Sequence, residues 1–342
     1  MTAPPANPGS IPTLADEAGV TAAARPAPFT IEGRGAAAPA TPLVFASPHS
    51  GRLYPQEMMA ASVLDAASIR RSEDVLVDAL VTPAAIHGAV VITASYARAY
   101  IDVNREPYDL DPSMFEDELP AFARGRSARV AAGLGSIARI VAEGQEIYGR
   151  KLTFAEAAAR IVAEGQEIYA RKLTFAEARR RIELVHQPYH EALAALLAQA
   201  RAAFGVAVLV DWHSMPAAAA RTYGQSGDMG VGRRGMSGAG VCDLVLGDRF
   251  GTACAPAITA LVERELEAMG YRVARNAPYA GGYTTEFYGK PAARTHALQI
   301  EINRGLYLDE ASLEPREGFG RLKRDLERVF AALAEGVARG VA

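Results

Sequence analysis

Short apolar runs alternate with longer amphipathic segments along most of the chain. The runs are rich in β-branched residues, which is typical of strands buried on both faces of a sheet. This alternation predicts an α/β fold, a three-layer α/β/α sandwich around a mostly parallel mixed sheet. The predicted strands lie at 43–46, 89–93, 206–210, 241–246, 271–274 and 297–302, with a further extended piece at 100–103. The predicted helices lie at 66–80, 127–204, 256–269 and 318–337.

The first 40 residues do not show this pattern. They are rich in Ala, Pro and Gly and have neither strand alternation nor a helical period, so we expect a flexible tail over 1–40. A single catalytic α/β domain is predicted over 41–342. No basic segment followed by an apolar one opens the chain, so we expect no secretory signal and a cytoplasmic location.

Two consecutive 21-residue segments, 139–159 and 160–180, match at 18 of 21 positions. Each contains the sequence Thr-Phe-Ala-Glu, at 153–156 and 174–177, which is typical of a capping box at the start of a helix. Two units are too few for a repeat array with its own core. We therefore interpret 139–180 as a tandem duplication that adds one helix and turn at the surface, not a new function.

Charge and composition exclude several classes of protein. Lys plus Arg is 36 and Asp plus Glu is 39, so the basic excess of a nucleic-acid-binding protein is missing. No apolar run is long enough for a membrane span. Cys242 and Cys254 form no CxxC pair, which argues against a disulfide scaffold or a zinc finger. We expect a small molecule as the partner, and neither nucleic acid nor membrane.

Two of the six histidines, His49 and His213, directly follow predicted strands. Ligand-binding residues of α/β sheets gather at the carboxyl ends of strands. Two imidazoles and one carboxylate form a catalytic zinc site with an open position for water, and Glu73 or Asp74 would supply the carboxylate. The competing interpretation of each histidine alone is a hydrogen-bonded structural residue, since the chain contains no HExxH motif.

Arginine at strand ends is a second signal. An acidic-x-Asn-Arg pattern occurs twice, from Asp102 through Asn104 to Arg105 and from Glu301 to Arg304. Arg98 precedes the first copy. A guanidinium group binds both oxygens of a carboxylate, which indicates an anionic substrate. The alternative is that each Arg pairs only with its neighbouring acid.

A loop with two adjacent glycines, from Gly281 to Thr285, would suit a cover over a small substrate and includes Gly282 and Tyr283. An ordinary surface loop explains it equally well. No phosphate-binding glycine motif follows a predicted strand, and no GxSxG nucleophile motif is present, so the residues do not favour phosphoryl transfer or a serine hydrolase.

Six segments together resemble the N-formylglutamate amidohydrolase family, and they occur in the family's order from residue 42 onward. The resemblance implies a zinc-carboxypeptidase-like α/β/α fold. It also implies hydrolysis of the dicarboxylate N-formyl-L-glutamate to formate and L-glutamate, a step of one histidine-degradation route. The segments are SPHSGRLYP (47–55), SEDVLVD (72–78), ARAYIDVNR (97–105), LVDWHSMP (209–216), GGYTTEFYGKP (281–291) and ALQIEINRGLY (297–307).

Carried over by motif position, the resemblance implies that His49, Asp74 and His213 bind one Zn²⁺ ion. Asp74 is preferred to Glu73 because the family pattern has an Asp four residues before the Asp at position 78. Glu301 resembles the general base of zinc carboxypeptidases, and it would move a proton from water to the leaving amine.

The substrate's two carboxylates would then be held by arginine, with Asn104, Gly282 and Tyr283 nearby. The arginines are Arg98, Arg105 and Arg304.

Two other functions are consistent with the same residues. One is a related zinc amidase or deacylase acting on another N-acyl amino acid or peptide, and the other is a non-catalytic ligand-binding paralogue without metal. The chain departs from the family pattern in its duplicated 21-residue segment, since the family carries one copy.

Overall fold

A computed structural model describes residues 26–33, 39–123, 125–141, 166–225 and 241–341. The strands are β1 (Phe29–Glu32), β2 (Leu43–Ser47), β3 (Val90–Ala94), β4 (Ile140–Val141), β5 (Gln166–Glu167), β6 (Ala207–Met215), β7 (Leu244–Gly247), β8 (Val273–Arg275), β9 (Thr295–Asn303), β10 (Leu308–Asp309) and β11 (Glu314–Pro315). The α-helices are α1 (Gln56–Ala61), α2 (Ala66–Ile69), α3 (Val77–Val81), α4 (Ala128–Ala131), α5 (Phe175–Arg181), α6 (Gln187–Phe204), α7 (Ala217–Gln225), α8 (Pro256–Ala268), α9 (Tyr283–Tyr288) and α10 (Gly318–Ala338).

Seven of these strands form one sheet in the order β1-β3-β2-β6-β9-β7-β8. The four central strands β3, β2, β6 and β9 are parallel, as the continuous apolar runs predict. β1 and β7 run antiparallel to their neighbours β3 and β9, and β8 is parallel to β7. Helices α5 and α6 pack on one face of the sheet, and α3, α8 and α10 pack on the other. The prediction of a mostly parallel sheet with helices on both faces is confirmed.

Strand alternation decides which face of the sheet carries the polar residues. In β6, Leu209 belongs to the core beneath α6, whereas Val208 belongs to the core beneath α8 and α10. Since successive side chains point to opposite faces, Asp211 and His213 continue along the α6 face. The β6–β9 register places His213 opposite Glu301 on that same face. Two parallel strands therefore bring their polar ends together.

The predicted tail contains one strand of the sheet. β1 pairs antiparallel with β3 along Phe29–Glu32. We expected the ordered chain to begin at residue 42, and it begins earlier. Phe-Thr-Ile-Glu does alternate, with Phe29 and Ile31 partly buried and Thr30 and Glu32 exposed, but four alternating residues beside a Pro- and Ala-rich stretch are too few to predict a strand. The rest of the predicted tail at 1–25 and 34–38 lies outside the described residues.

The helix predicted over 66–80 is wrong because the chain leaves the helix in its middle. A 3₁₀ turn over Arg70–Ser72 follows α2, Glu73 is extended, and Leu76 has a left-handed φ of 63° before α3 begins. The backbone N–H of Asp74 donates to the carbonyl of His49 at 2.9 Å. The break therefore fixes Asp74 in a loop beside His49 rather than on a helix surface.

The long helix predicted over 127–204 is also wrong for much of its length. Between α4 and α5 the described chain forms turns, bends and the short strands β4 and β5, in which Ile140 lies opposite Glu167. The capping box at Thr174 and Glu177 is confirmed, because each side chain accepts from the other's backbone N–H. Its equivalent at 153–156 lies outside the described residues. The piece at 100–103 is buried but forms no strand.

No helix in the described ranges is both long and apolar enough to cross a membrane.

Candidate metal centre

His49, Asp74 and His213 meet at the carboxyl end of the central strands. The Nδ1 atoms of His49 and His213 are 3.1 Å apart, and Oδ2 of Asp74 lies 3.4 Å and 3.1 Å from them, respectively. All three side chains are buried. Ligand atoms at zinc-binding distance in a tetrahedral site are roughly 3.3 Å apart, so the donor set and its spacing fit a divalent ion. The three residues lie together, as the sequence predicts.

Each histidine is oriented by a second buried carboxylate. Nε2 of His49 is 2.7 Å from Oδ1 of Asp102, and Nε2 of His213 is 3.0 Å from Oδ2 of Asp211. A carboxylate on the far nitrogen fixes the tautomer and ring orientation of a metal-binding histidine. The two Nδ1 atoms are thereby left facing Asp74.

The electrostatics of the cluster favour a positive charge between its three donors. Burial would lower the pKa of His213, but the charge of Asp211 and hydrogen bonds to Asp211 and Asp74 raise that pKa well above its usual value. Burial also opposes ionisation of Asp74, yet hydrogen bonds from both histidines hold its pKa well below the usual range. A divalent ion would supply the positive charge that a protonated imidazole supplies here.

Arg304 lies behind the cluster, where it holds Asp74. Its Nη2 donates to Oδ1 of Asp74 at 3.0 Å and to the carbonyl of Glu73 at 2.8 Å. Nε donates to Oγ of Ser214 at 3.0 Å, and Nη1 to the carbonyl of Arg71 at 3.3 Å. We expected Arg304 to bind substrate, but every nitrogen of its guanidinium group donates to the protein itself.

The other two predicted arginines keep free donors. Nη2 of Arg98 donates to Oδ2 of Asp102 at 2.7 Å. Arg105 donates through Nε to the carbonyl of Leu134 and through Nη1 to that of Asn104. Among the described residues, Nη1 of Arg98 and Nη2 of Arg105 have no partner. Burial lowers the pKa of Arg105 to about 10, so this arginine is still a cation at neutral pH.

Asn104 connects the two-glycine loop to the metal cluster. Its Nδ2 lies 2.9 Å from Nε2 of His213 and donates to Oδ2 of Asp211 at 3.2 Å. Its Oδ1 accepts from the backbone N–H of Thr284 at 2.8 Å. A Cβ atom at Gly282 would lie 2.8 Å from Nδ2 of Asn104, so this close approach requires glycine. The structure therefore brings Asn104 and Gly282 into contact beside His213. Both atoms of the Asn104 amide form hydrogen bonds within the protein rather than pointing to a substrate.

Glu301 lies across from His213 on β9 and is almost fully buried. Nε2 of Gln299 donates to its Oε1 at 2.8 Å. The pKa of Glu301 is raised to about 7, chiefly by burial; the charge of His213 opposes this shift, and the charge of Asp74 contributes to it. A carboxyl group that changes charge near neutral pH is suited to proton transfer.

Sequence reasoning did not predict roles for Asp102, Asp211, His186 or His190. Two signals were available for them. Asp211 precedes His213 by two residues, which places both on one face of a strand. His186 and His190 are four residues apart, which places both on one face of a helix. Tyr283 is half-buried, and its ring centroid lies 5.4 Å from that of His190.

The model of the N-formylglutamate amidohydrolase family matches residues 41–163 and 161–308, and the two matches meet inside the duplicated segment. An N-formylglutamate deformylase of Pseudomonas putida is 28% identical over 270 residues, which cover 79% of this chain and 82% of the relative. The crystal structure of N-formylglutamate amidohydrolase from Ralstonia eutropha JMP134 has a TM-score of 0.74 and 38% identity over 92% of this chain and 99% of that one. A gene product of Agrobacterium tumefaciens shares the fold alone, with a TM-score of 0.55 and 16% identity over 92% of this chain and 97% of that one.

Proposed function

Because this chain belongs to the N-formylglutamate amidohydrolase family, we propose that it hydrolyses the amide bond of N-formyl-L-glutamate to formate and L-glutamate. The names of its relatives in Pseudomonas putida and Ralstonia eutropha support this substrate. The observation that carries the proposal is the buried cluster of His49, Asp74 and His213 with Glu301 beside it. The reaction suits a cytoplasmic step of histidine degradation.

We assign one zinc ion to the cluster, held by His49, Asp74 and His213. Two imidazole nitrogens and one carboxylate oxygen are a ligand set that zinc accepts, with a further position left for water or substrate. When bound, the ion would supply Lewis-acid polarisation of the formyl oxygen and a lowered pKa for a water molecule. Asp102, Asp211 and the Arg304 guanidinium keep the three donors in place.

Glu301 acts as the proton carrier in this proposal. Its carboxylate accepts a proton from the attacking water and then donates that proton to the nitrogen of glutamate as the amide bond breaks. The pKa of about 7 allows both steps near neutral pH. The hydrogen bond from Gln299 restrains one oxygen, Oε1, which leaves the other for the reaction.

Arg98 and Arg105 bind a carboxylate group of the substrate. Both guanidinium groups lie beside Asp102 and have donors without a partner among the described residues. Hydrogen bonds from arginine to a carboxylate are among the strong ones because both partners are charged. The pair therefore favours an anionic N-formyl amino acid over a neutral amide.

The experiment is formate release from N-formyl-L-glutamate by the purified, zinc-loaded protein. A sample treated with a chelator and a His49→Ala variant are measured in parallel. We expect formate release in the first sample alone, and N-acetyl amino acids should react poorly. Zinc binding without formate release would overturn the substrate assignment. The absence of both would also overturn the metal assignment.

A further inference from the structure

A buried histidine, His186, and a half-buried one, His190, lie outside the metal cluster at the start of the long helix α6. His186 ends a π-helical turn over Ile182–His186, and His190 lies one turn further on. Their ring centroids are 4.4 Å apart. Single π-helical turns are frequent at functional sites. We call these two residues the histidine pair.

The histidine pair holds the main chain on both sides of Asn104. Nε2 of His190 donates to the carbonyl of Val103 at 2.7 Å, and Nε2 of His186 donates to the carbonyl of Arg105 at 2.9 Å. Asn104 in turn lies against His213. The position of the Arg105 backbone relative to the metal cluster therefore depends on two imidazole N–H donors.

His190 also contacts the helix that follows the two-glycine loop. Its Nδ1 accepts from the hydroxyl of Tyr288 at 2.9 Å, and the two rings are stacked at 12°. Tyr288 ends α9, and Tyr283 begins that helix with its ring packed on His190. One imidazole thus connects the segment that carries Arg105 with the segment that carries Tyr283.

A neutral ring with a proton on Nε2 accounts for both bonds of His190. Nε2 then donates to Val103 and Nδ1 accepts from Tyr288, whose hydroxyl also lies 3.2 Å from the carbonyl of His190. Burial lowers the pKa of His190 to about 3, and it also lowers the pKa of His186. The ring therefore keeps one donor and one acceptor at neutral pH. None of the contacts described for the pair involves His49, Asp74 or Glu301.

We propose that His186 and His190 are positioning residues that set the places of Arg105 and Tyr283 around a carboxylate of the substrate. The pair thereby determines the affinity for anionic N-formyl amino acids without taking part in the chemical step. This inference rests on the proposed function of the metal cluster. It identifies a determinant of substrate affinity one layer behind the substrate.

The test compares two substitutions of His190 in the zinc-loaded protein. His190→Phe keeps a ring but removes both hydrogen bonds, whereas His190→Gln keeps an N–H group near the position of Nε2. We expect KM for N-formyl-L-glutamate to rise about 5- to 30-fold in the Phe variant, because the hydrogen bonds to Val103 and Tyr288 are lost. We expect the Gln variant to recover most of this loss. Both should bind zinc as the wild type does and keep kcat within about threefold.

His87→Phe is the matched control, since His87 lies on the opposite side of the sheet beside Phe330. An unchanged KM in His190→Phe would overturn the inference. The inference would also be overturned if the Phe and Gln variants showed the same decrease in zinc affinity, the same decrease in kcat and the same increase in KM, because that pattern indicates a general structural role. If the Phe variant does not fold, Tyr288→Phe removes only the hydroxyl that contacts Nδ1 and the carbonyl of His190. A raised KM would then support the inference, and an unchanged KM would overturn it.

Binding of L-glutamate, measured by calorimetry on the same zinc-loaded proteins, gives a readout that does not need turnover. If the wild type binds L-glutamate but releases no formate, the proposed function fails and weaker binding by His190→Phe still supports the histidine pair. If the wild type releases formate and His190→Phe matches it in both KM and L-glutamate affinity, only the inference fails.

Discussion

Replacing Arg304 by methionine should weaken metal binding and stability without weakening substrate binding. Its guanidinium group donates four hydrogen bonds, to Asp74, Glu73, Ser214 and Arg71. In Arg304→Met, the buried carboxylate of Asp74 loses its only arginine partner among the described residues. Breaking a buried ion pair on one side costs about 3–5 kcal/mol, so the free energy of unfolding of the metal-free protein should fall by this amount.

The effect on the metal follows from which oxygen of Asp74 is held. Arg304 and Ser214 both donate to Oδ1, which leaves Oδ2 directed at the two imidazoles. Without this restraint the carboxylate rotates, and loss of such outer partners typically lowers metal affinity about 10- to 100-fold. At saturating zinc, however, KM should stay near the wild-type value, because the Arg304 donors face the protein.

Arg105→Met is the matched comparison, since the same substitution removes a second buried guanidinium of the site. Here we expect unchanged zinc affinity and a raised KM, with a cost of about 2–5 kcal/mol for losing the partner of a bound carboxylate. Zinc affinity would be measured by competition with a chromophoric chelator, stability by urea unfolding, and KM by formate release. If Arg304→Met has wild-type zinc affinity and a raised KM, the reasoning is refuted. Arg304 would then bind the substrate, as the sequence analysis expected.

Three further predictions test other parts of the site and fold. Glu301→Gln should retain zinc but lose at least about 100-fold in kcat, since a positioned proton carrier contributes that much; a kcat near the wild-type value would exclude Glu301 as the base. Deletion of 142–162 joins Val141 to Ala163 and keeps the described pairing of β4 with β5, so melting temperature and kcat should stay unchanged or improve slightly; a protein that does not fold would show that the insertion is needed. Below pH 6.5 the unfolded chain protonates His190 while the folded chain keeps it neutral down to about pH 3. The free energy of unfolding should therefore fall as pH decreases through this window, by up to about 1.4 kcal/mol per pH unit. Urea unfolding of His190→Gln should lack this part of the slope, and an identical slope would contradict the shift.

The central sheet was predictable because burial on both faces leaves a mark on the sequence. The run 206–210 is apolar at every position, and 297–302 is apolar except at Gln299 and Glu301; these runs lie in the parallel strands β6 and β9. Strand direction leaves no such mark. β7 reads like its neighbours but runs antiparallel to β9, and the alternation of β1 is only four residues long.

Asp74 lies beside His49 and His213 as predicted, but the element predicted to carry it is wrong. The apolar positions around it fit a helical period, yet the chain leaves the helix at Glu73 and takes a left-handed φ at Leu76. That break depends on contacts distant in sequence, among them the bonds from Arg304 to Glu73 and Asp74. Local periodicity contains no information about such a partner, so the helix was predicted and the loop was not.

The two acidic-x-Asn-Arg patterns explain why roles cannot be read from a motif alone. In the first, the acid Asp102 contacts His49, and Arg105 keeps a donor without a partner among the described residues. In the second, the acid Glu301 lies opposite His213, whereas Arg304 points away from Glu301 and donates to the carboxylate of Asp74. The first pattern lies in irregular chain, but the second ends β9 and enters a 3₁₀ turn at Arg304. The acid and the arginine therefore have different roles in the two copies of the pattern. The reason is that the backbone after each acid directs the arginine to a different side of the metal cluster.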